Sequence, residues 1–282
     1  MLTVLEIIKK TTEYFVGKGL DSARLNAELL IGHALGRKRM QLYMEFERPL
    51  TEAELDKIRP LVRRRAAHEP LQYIIGETEF HGLKLKVDRR ALIPRPETEL
   101  LVEHIATAAA SAPAKRILDL GTGSGAIALA LARLLPEASV TAVDRSTAAL
   151  ELAQENAAAT GLADRVVFLC SDWFAAVPPE PYDIVVSNPP YLTAEETALT
   201  APEVRNFEPL DALTAADAGV ADLARIIAGA PAFLAPGGWL ALESGIAQHA
   251  RLQALCSEAG FTAVQSLPDL AGRDRFILAR RG

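Results

Sequence analysis

Seven residues, Asp119-Leu120-Gly121-Thr122-Gly123-Ser124-Gly125, constrain this chain more than any others. They lie between a buried-strand pattern at Arg116–Leu120 and a helical pattern at Gly125–Leu135. Glycines are needed at such a place because the turn is tight and a ligand approaches the backbone closely. A second strand pattern follows at Ser139–Asp144, and Asp144 stands at its end, where a carboxylate can accept both hydroxyls of a ribose. Together these residues describe a pocket for a nucleoside-containing cofactor at the carboxyl ends of parallel strands.

The alternation continues. Ser146–Thr160 reads as a helix ended by Gly161, followed by strands at Val166–Cys170 and Ile184–Ser187. Asp217–Leu234 reads as one helix, Pro236-Gly237-Gly238 as a turn and Trp239–Glu243 as a strand. A helix near His249–Ala259 and strands at Thr262–Leu267 and Arg275–Ala279 close the chain. From Pro113 onward this predicts a parallel sheet with helices on both faces. The first 75 residues differ, because every pattern there has the helical period. Thr3 with Glu6, and Thr51 with Glu54, are capping boxes, and Asp21 or Ser22 suits the start of the helix between them. Pro60 should kink or end the helix it falls in, and Arg63-Arg64-Arg65 reads as a solvated face. Between the two regions, Leu83, Leu85 and Val87 alternate with lysines as in a half-buried strand, and Ala91-Leu92-Ile93 reads as its partner in a hairpin. The expected domains are a helical one over 1–75, a hairpin linker over 76–95 and an α/β domain over 96–282.

The glycine loop does not by itself name the cofactor. Gly121-x-Gly123-x-x-Ala126 with an acid about 20 residues on also satisfies the dinucleotide pattern of a nicotinamide dehydrogenase. The spacing G-x-G-x-G after Asp119 resembles instead the first motif of class I methyltransferases, which bind S-adenosylmethionine. Asn188-Pro189-Pro190-Tyr191 decides between them, because it directly follows a strand and a dehydrogenase has no use for it. The element resembles the catalytic motif of methyltransferases that act on planar, amide-like nitrogens. A carboxamide nitrogen is a poor nucleophile, since its lone pair is delocalised into the carbonyl. The Asn188 oxygen and the Pro189 backbone carbonyl can accept its two N–H bonds, aim it and stabilise positive charge as it develops. Tyr191 can pack against the planar group.

Three further segments accompany these motifs: Glu69-Pro70-Leu71-Gln72-Tyr73-Ile74-Ile75-Gly76, Phe80-His81-Gly82-Leu83 and Leu92-Ile93-Pro94-Arg95-Pro96-Glu97-Thr98-Glu99. The set resembles the peptide chain release factor glutamine methyltransferases, the HemK-type family, over nearly the whole chain. The resemblance implies a five-helix N-terminal domain, a hairpin linker and a class I, Rossmann-like methyltransferase domain with a seven-stranded sheet. It implies methyl transfer from S-adenosylmethionine, with S-adenosylhomocysteine as product, to the glutamine of the Gly-Gly-Gln motif in release factors. By position, Gly121, Thr122, Gly123, Ser124 and Gly125 line the methionine part of the cofactor and Asp144 holds the ribose. Asp172 and Trp173 lie where the family contacts adenine, with Trp173 as ring partner. Asn188 touches cofactor and substrate, and Pro189, Pro190 and Tyr191 form the substrate clamp. Glu208-Pro209-Leu210-Asp211-Ala212-Leu213 resembles the segment after the clamp, and Arg95 and Glu97 stand either at the pocket rim or as a brace at a helix start.

The nearest rival is an adenine or guanine amino-group methyltransferase acting on nucleic acid, which shares the Asn-Pro-Pro-Tyr element. Lys plus Arg number 30 against 36 Asp plus Glu, a net charge of −6, so no basic surplus supports wide phosphate contact. The two cysteines, Cys170 and Cys256, form no CxxC pair, and the five histidines are scattered, so neither disulfides nor a metal site are expected. The start lacks the layout of a signal peptide, and no apolar run is long enough to span a membrane, so a cytoplasmic location is expected.

Overall fold

The computed structural model describes residues 2–110 and 114–282, so Pro113 lies outside the described residues. The chain divides into two compact units, one of Met1–Gly76 with Ala201–Phe207, the other of Glu77–Thr200 with Glu208–Gly282.

The first unit contains five helices from the N-terminal part: α1 (Val4–Gly17), α2 (Ala23–Leu35), α3 (Arg39–Met44), α4 (Glu52–Ala66) and α5 (Leu71–Ile75). Both capping boxes form. The Thr3 hydroxyl accepts from the Glu6 amide and the Glu6 carboxylate from the Thr3 amide, and Thr51 and Glu54 do the same. Ser22 stands at the start of α2 in the left-handed region (φ 48°) and caps nothing with its side chain. The Asn26 amide instead donates to the carbonyls of Asp21 and Ser22. Pro60 does not end α4, which runs on to Ala66. A proline inside a helix costs on the order of 3 kcal/mol. Leu55 and Ile58 before it and Ala66 after it are all buried, and their packing outweighs that cost. Arg65 is not part of a solvated face either. It is buried, with Nε donating to Asn26 and Nη1 to the Glu69 carbonyl, and it pairs with Glu203 at 2.5 Å.

The second unit opens with a hairpin, β1 (Glu77–Phe80) and β2 (Leu83–Lys86), with Phe80 opposite Leu83. The partner of Leu83–Lys86 is therefore the segment before it and not Ala91–Ile93. His81 and Gly82 both have positive φ (48° and 71°), as a two-residue hairpin turn requires, and this local closure leaves residues 91–93 outside the ladder. Ala91 and Ile93 are buried all the same.

The elements that follow are α6 (Pro96–Ala110), β3 (Arg116–Leu120), α7 (Ala126–Leu134), β4 (Ser139–Asp144), α8 (Thr147–Thr160), β5 (Val166–Cys170) and β6 (Tyr182–Ser187). Then come α9 (Ala194–Leu199), α10 (Pro202–Phe207, which belongs to the first unit), α11 (Ala216–Gly219) and α12 (Ala221–Phe233). The chain ends with β7 (Leu234–Glu243), α13 (His249–Glu258), β8 (Phe261–Pro268) and β9 (Asp274–Arg281). The seven strands lie in the order β5-β4-β3-β6-β7-β9-β8, all parallel except β9. Alternate residues along β3 serve opposite cores. Ile117 packs with Leu101, Ile105 and Leu129 on one face, and Leu118 and Leu120 pack with Leu223, Ile226 and Leu252 on the other. Two readings shift here. Asp217–Leu234 is not one helix, because Asp217 and Ala218 are left-handed (φ 52° and 53°) and α12 starts after them. Pro236-Gly237-Gly238 is not a turn between elements but a bulge inside β7, between the pairs Tyr182–Leu234 and Ile184–Trp239.

Asn156 on α8 fastens the hairpin to the glycine loop. Its amide donates to the carbonyls of Ser124 (2.9 Å) and Lys86 (3.1 Å), and its oxygen accepts from the Lys86 amide (2.7 Å). Replacing Asn156 by alanine leaves the buried Ser124 carbonyl and the half-buried Lys86 backbone groups without this partner, so stability should fall by about 2 kcal/mol. Urea unfolding followed by circular dichroism measures the loss, and amide exchange at Lys86 should accelerate with it; an unchanged midpoint and unchanged exchange would refute the tie.

Candidate active site

Strand β3 pairs with β4 on one side and β6 on the other, so the sheet order reverses at β3. Open α/β sheets bind ligands at the carboxyl ends of the strands at such a point. Leu120 is aligned with Ser187, so the glycine loop and Asn188 leave the sheet side by side. The Ser187 hydroxyl donates to the Leu120 carbonyl (2.7 Å) and holds the two strand ends together.

The glycine loop is shaped by its neighbours. A side-chain carbon on Gly121 (φ 71°) would come within 3.2 Å of the Trp173 ring, and one on Gly125 (φ 84°) within 3.1 Å of Ala153. The amides of Gly121 and Thr122 donate to the Val143 carbonyl (2.8 and 2.9 Å), which carries the loop back over the end of β4. Asp144 accepts from the Gly123 amide on one oxygen and from the Ser146 amide on the other, each at 2.9 Å.

A cavity of about 760 Å³ opens at this place. Gly121, Thr122, Gly123, Ser124, Asp144, Asp172, Trp173, Asn188, Pro189 and Pro190 all line it. Gly125 stands just behind as the first residue before α7. Trp173 is held in the left-handed region (φ 50°), with its indole N–H on Asp222 (3.2 Å). Asp172 is exposed and paired with Arg225 (2.9 Å). Tyr191 is not on the cavity wall. It turns into the core, and its hydroxyl donates to the Glu243 carboxylate (3.2 Å). Arg95 lines the cavity and pairs with the buried Glu208 (2.7 Å), whose other oxygen accepts from the Ile93 amide (3.1 Å). Glu97 is exposed and off the wall.

Four residues that the motif reading passed over organise this place: Thr98, Glu243, Glu208 and Asn156. The Asn188 amide donates to the Thr98 hydroxyl (3.2 Å), which donates to the second oxygen of Glu243 (2.7 Å). Glu243 is 2 % exposed, and burial pushes its carboxyl above the usual range while the Arg275 guanidinium pulls it back. Burial and the neighbouring Glu243 push the Tyr191 phenol far above its ordinary value, so it remains a donor. Thr98 and Glu208 lay inside segments already singled out, but only the fold shows what they touch.

Known proteins resemble this chain over nearly its whole length. A family model described as the PrmC N-terminal domain matches residues 6–76, and one described as the methyltransferase small domain matches residues 96–204. A release factor glutamine methyltransferase of Chlorobaculum tepidum is 44% identical over 282 residues, which cover 97% of this chain and 95% of that protein. One from Geobacter sulfurreducens is 41% identical over 280 residues, covering 99% and 97%. The chain belongs to the release factor glutamine methyltransferase family. Its fold also matches the solved structure of the Thermus thermophilus 16S rRNA N2 G1207 methyltransferase, with a TM-score of 0.53 at 24% identity, over 73% of this chain and 50% of that one. The Rossmann-like sheet and the helical N-terminal region are those of the family.

One buried acid of the methyltransferase unit has only half its hydrogen bonds. Asp119 accepts from the Thr122 hydroxyl (2.7 Å) on one oxygen, and its other oxygen has no partner among the described residues. Burial, with the Asp144 charge adding to it, pushes its carboxyl up from 3.8 to about 7. An acid with a raised pKa takes up a proton on folding, so its contribution to stability falls as pH rises from the unfolded value to the folded one. Between about pH 5 and about pH 8 this costs the wild type on the order of 2 kcal/mol. Asp119→Asn cannot titrate, so its melting temperature relative to wild type should rise over that interval in protein free of cofactor. A pH-independent difference would sink the assignment.

Proposed function

We propose that this protein transfers a methyl group from S-adenosylmethionine to the side-chain amide nitrogen of the glutamine in the Gly-Gly-Gln motif of peptide chain release factors. The observation that carries the reading is the alignment of Leu120 with Ser187, which sets Asn188 beside the glycine loop on one cavity wall. The names of the relatives supply the substrate class, as they are release factor glutamine methyltransferases.

The site fits the cofactor. A carboxylate has about four lone-pair positions, and the two backbone donors on Asp144 leave room for the ribose hydroxyls. Positive φ at Gly121 and Gly123 favours glycine there, which leaves no side chain where the methionine part would lie. Trp173, fixed by its bond to Asp222, offers a ring face for adenine, and Asp172 flanks it. When bound, S-adenosylmethionine supplies an electrophilic methyl group on a sulfonium sulfur.

The chain's own residues make the nitrogen reactive by placing it. Asn188 Oδ1 and the Pro189 carbonyl accept the two N–H bonds of the substrate amide. That fixes the nitrogen's direction and stabilises the positive charge it gains as the new N–C bond forms. Pro189 has no N–H to donate, so it presents an acceptor alone. The N-alkylated amide then loses its proton to water, so no titrating base is required. The substrate clamp is Asn188 with Pro189 and Pro190, and Tyr191 supports it from behind. The helical residues 1–75 supply the surface that a protein substrate needs, since specific interfaces bury on the order of 1,600 Å². Residues 76–95 form the linker, 96–282 carry the reaction, and a cytoplasmic enzyme meets release factors where they act.

Mass spectrometry of release factor incubated with enzyme and S-adenosylmethionine tests the reading directly. Asn188→Ala should lower turnover by on the order of 100-fold, as loss of an acceptor for developing charge does elsewhere, while cofactor affinity changes little. Near-normal turnover in that variant would rule the clamp out. Asp144→Ala should weaken cofactor binding by about 1–3 kcal/mol in calorimetry, and unchanged affinity would move the ribose site elsewhere.

A further inference from the structure

We propose that Thr98 and Glu243 are positioning residues that fix which end of the Asn188 carboxamide faces the substrate. This rests on the reading of Asn188 as the acceptor for the substrate amide.

A carboxamide is nearly symmetric in shape, with an oxygen at one end and a nitrogen of similar size at the other. Asn188 works as an acceptor only if the oxygen points into the cavity. Flipped by half a turn, it would offer two N–H donors to a substrate that also brings donors. Nothing in the Asn-Pro-Pro-Tyr sequence chooses between the two states. The choice is made by the chain of hydrogen bonds behind it.

Glu243 ends β7 and is the terminus of that chain. Two hydroxyls converge on its carboxylate, Tyr191 on Oε1 (3.2 Å) and Thr98 on Oε2 (2.7 Å). Against its burial, the Thr98 hydrogen bond and the Arg275 charge favour the ionised form of Glu243, and in that form the carboxylate only accepts. Thr98 has a single hydroxyl proton, and Glu243 takes it. The Thr98 oxygen therefore meets Asn188 with lone pairs alone, and only the NH₂ end of the carboxamide can satisfy it, as observed at 3.2 Å. Oδ1 is thereby turned to the opposite side. Asn188 and Thr98 both line the cavity, whereas Glu243 does not, so the polarity is set from the protein interior and delivered to the wall. Thr98 comes from the first turn of α6, Asn188 follows β6 and Glu243 ends β7, so three separate elements must be in place before the acceptor is oriented.

A residue that acts only through Asn188 has no effect once Asn188 is gone, which separates orientation from mere packing. The measurements are kcat for methylation of intact release factor and affinity for S-adenosylmethionine, in wild type, T98V, T98A, T98S, N188A and N188A combined with T98V or T98A. T98V should lower kcat about tenfold with cofactor affinity held within about twofold, and T98S should recover most of that loss because it restores the hydroxyl. In the N188A background, T98V should change kcat by less than about twofold. T98A lacks the hydroxyl without adding volume, so it decides the question should T98V fold poorly. A tenfold loss that persists in the N188A background, or a T98S as impaired as T98V, would overturn the proposal while leaving Asn188 as the acceptor. Near-normal kcat in N188A alone would remove the acceptor reading and this proposal with it.

Discussion

The parallel pairing of β3 with β6, across the point where the strand order reverses, is the constraint on which the site depends. Two loops far apart in sequence leave the sheet at one level because Leu120 lies opposite Ser187. A slip of one residue in that register would turn every side chain of a strand to the other face. Both faces are packed, Ile117 into one core and Leu118 and Leu120 into the other, so the register is held by burial on two sides at once. The same packing that makes the sheet stable therefore fixes the distance between the glycine loop and the Asn-Pro-Pro-Tyr element.

Much of this was legible in the sequence, and the reasons are local. A glycine loop in a strand–loop–helix setting and an acid at the next strand end follow from backbone sterics, so the pattern identifies them before any coordinates. The capping boxes at Thr3 and Thr51 depend on residues three apart, and both form as read. What sequence alone concealed is what long-range contacts decide. Arg65 looks like one of three solvated arginines until Asn26, Glu69 and Glu203 surround it. Pro60 reads as a helix breaker until burial on both sides of it carries α4 through. Ala91–Ile93 looks like the partner of the strand at Leu83, but it is apolar for another reason: Ala91 and Ile93 are buried, and the Ile93 amide meets Glu208.

Three nearly inaccessible acids surround the site, and their surroundings separate their uses. Glu208 accepts from Arg95 and from the Ile93 amide, so it ties the segment before α6 to the segment that follows α10. Glu243 accepts from two hydroxyls and ties α6 to β7 and to Tyr191. Asp119 accepts from one hydroxyl only, close to Asp144, and is the one pushed to about 7. Burying a carboxylate is costly unless donors replace its water. The two satisfied acids act as fixed acceptors that join distant segments. Asp119 instead holds the turn at Thr122 at some cost to stability above neutral pH, as a site shaped for a ligand more than for stability would.

The break in the helix expected over Asp217–Leu234 belongs to the same logic. A side-chain carbon on Gly219 would fall 2.1 Å from the Tyr191 carbonyl oxygen, so the chain passes that carbonyl with no room for a side chain. It reaches this position through left-handed Asp217 and Ala218, a conformation unfavourable for alanine, which the surrounding contacts must stabilise. Gln248 supplies part of that support, donating to both the Tyr191 carbonyl (2.8 Å) and the Ala218 carbonyl (3.2 Å). Leu192 adds a bridge beside it, donating to the Leu213 carbonyl (3.0 Å) and accepting from the Ala215 amide (2.9 Å). The backbone just past the two prolines is thus bonded on two sides, and the prolines limit its freedom on the near side. An acceptor that is to stabilise charge at the moment of reaction must already be in place, because reorganising it then would consume the stabilisation. On the proposed reading of Asn188 as that acceptor, the strained approach of residues 217–219 helps to hold the backbone that follows it.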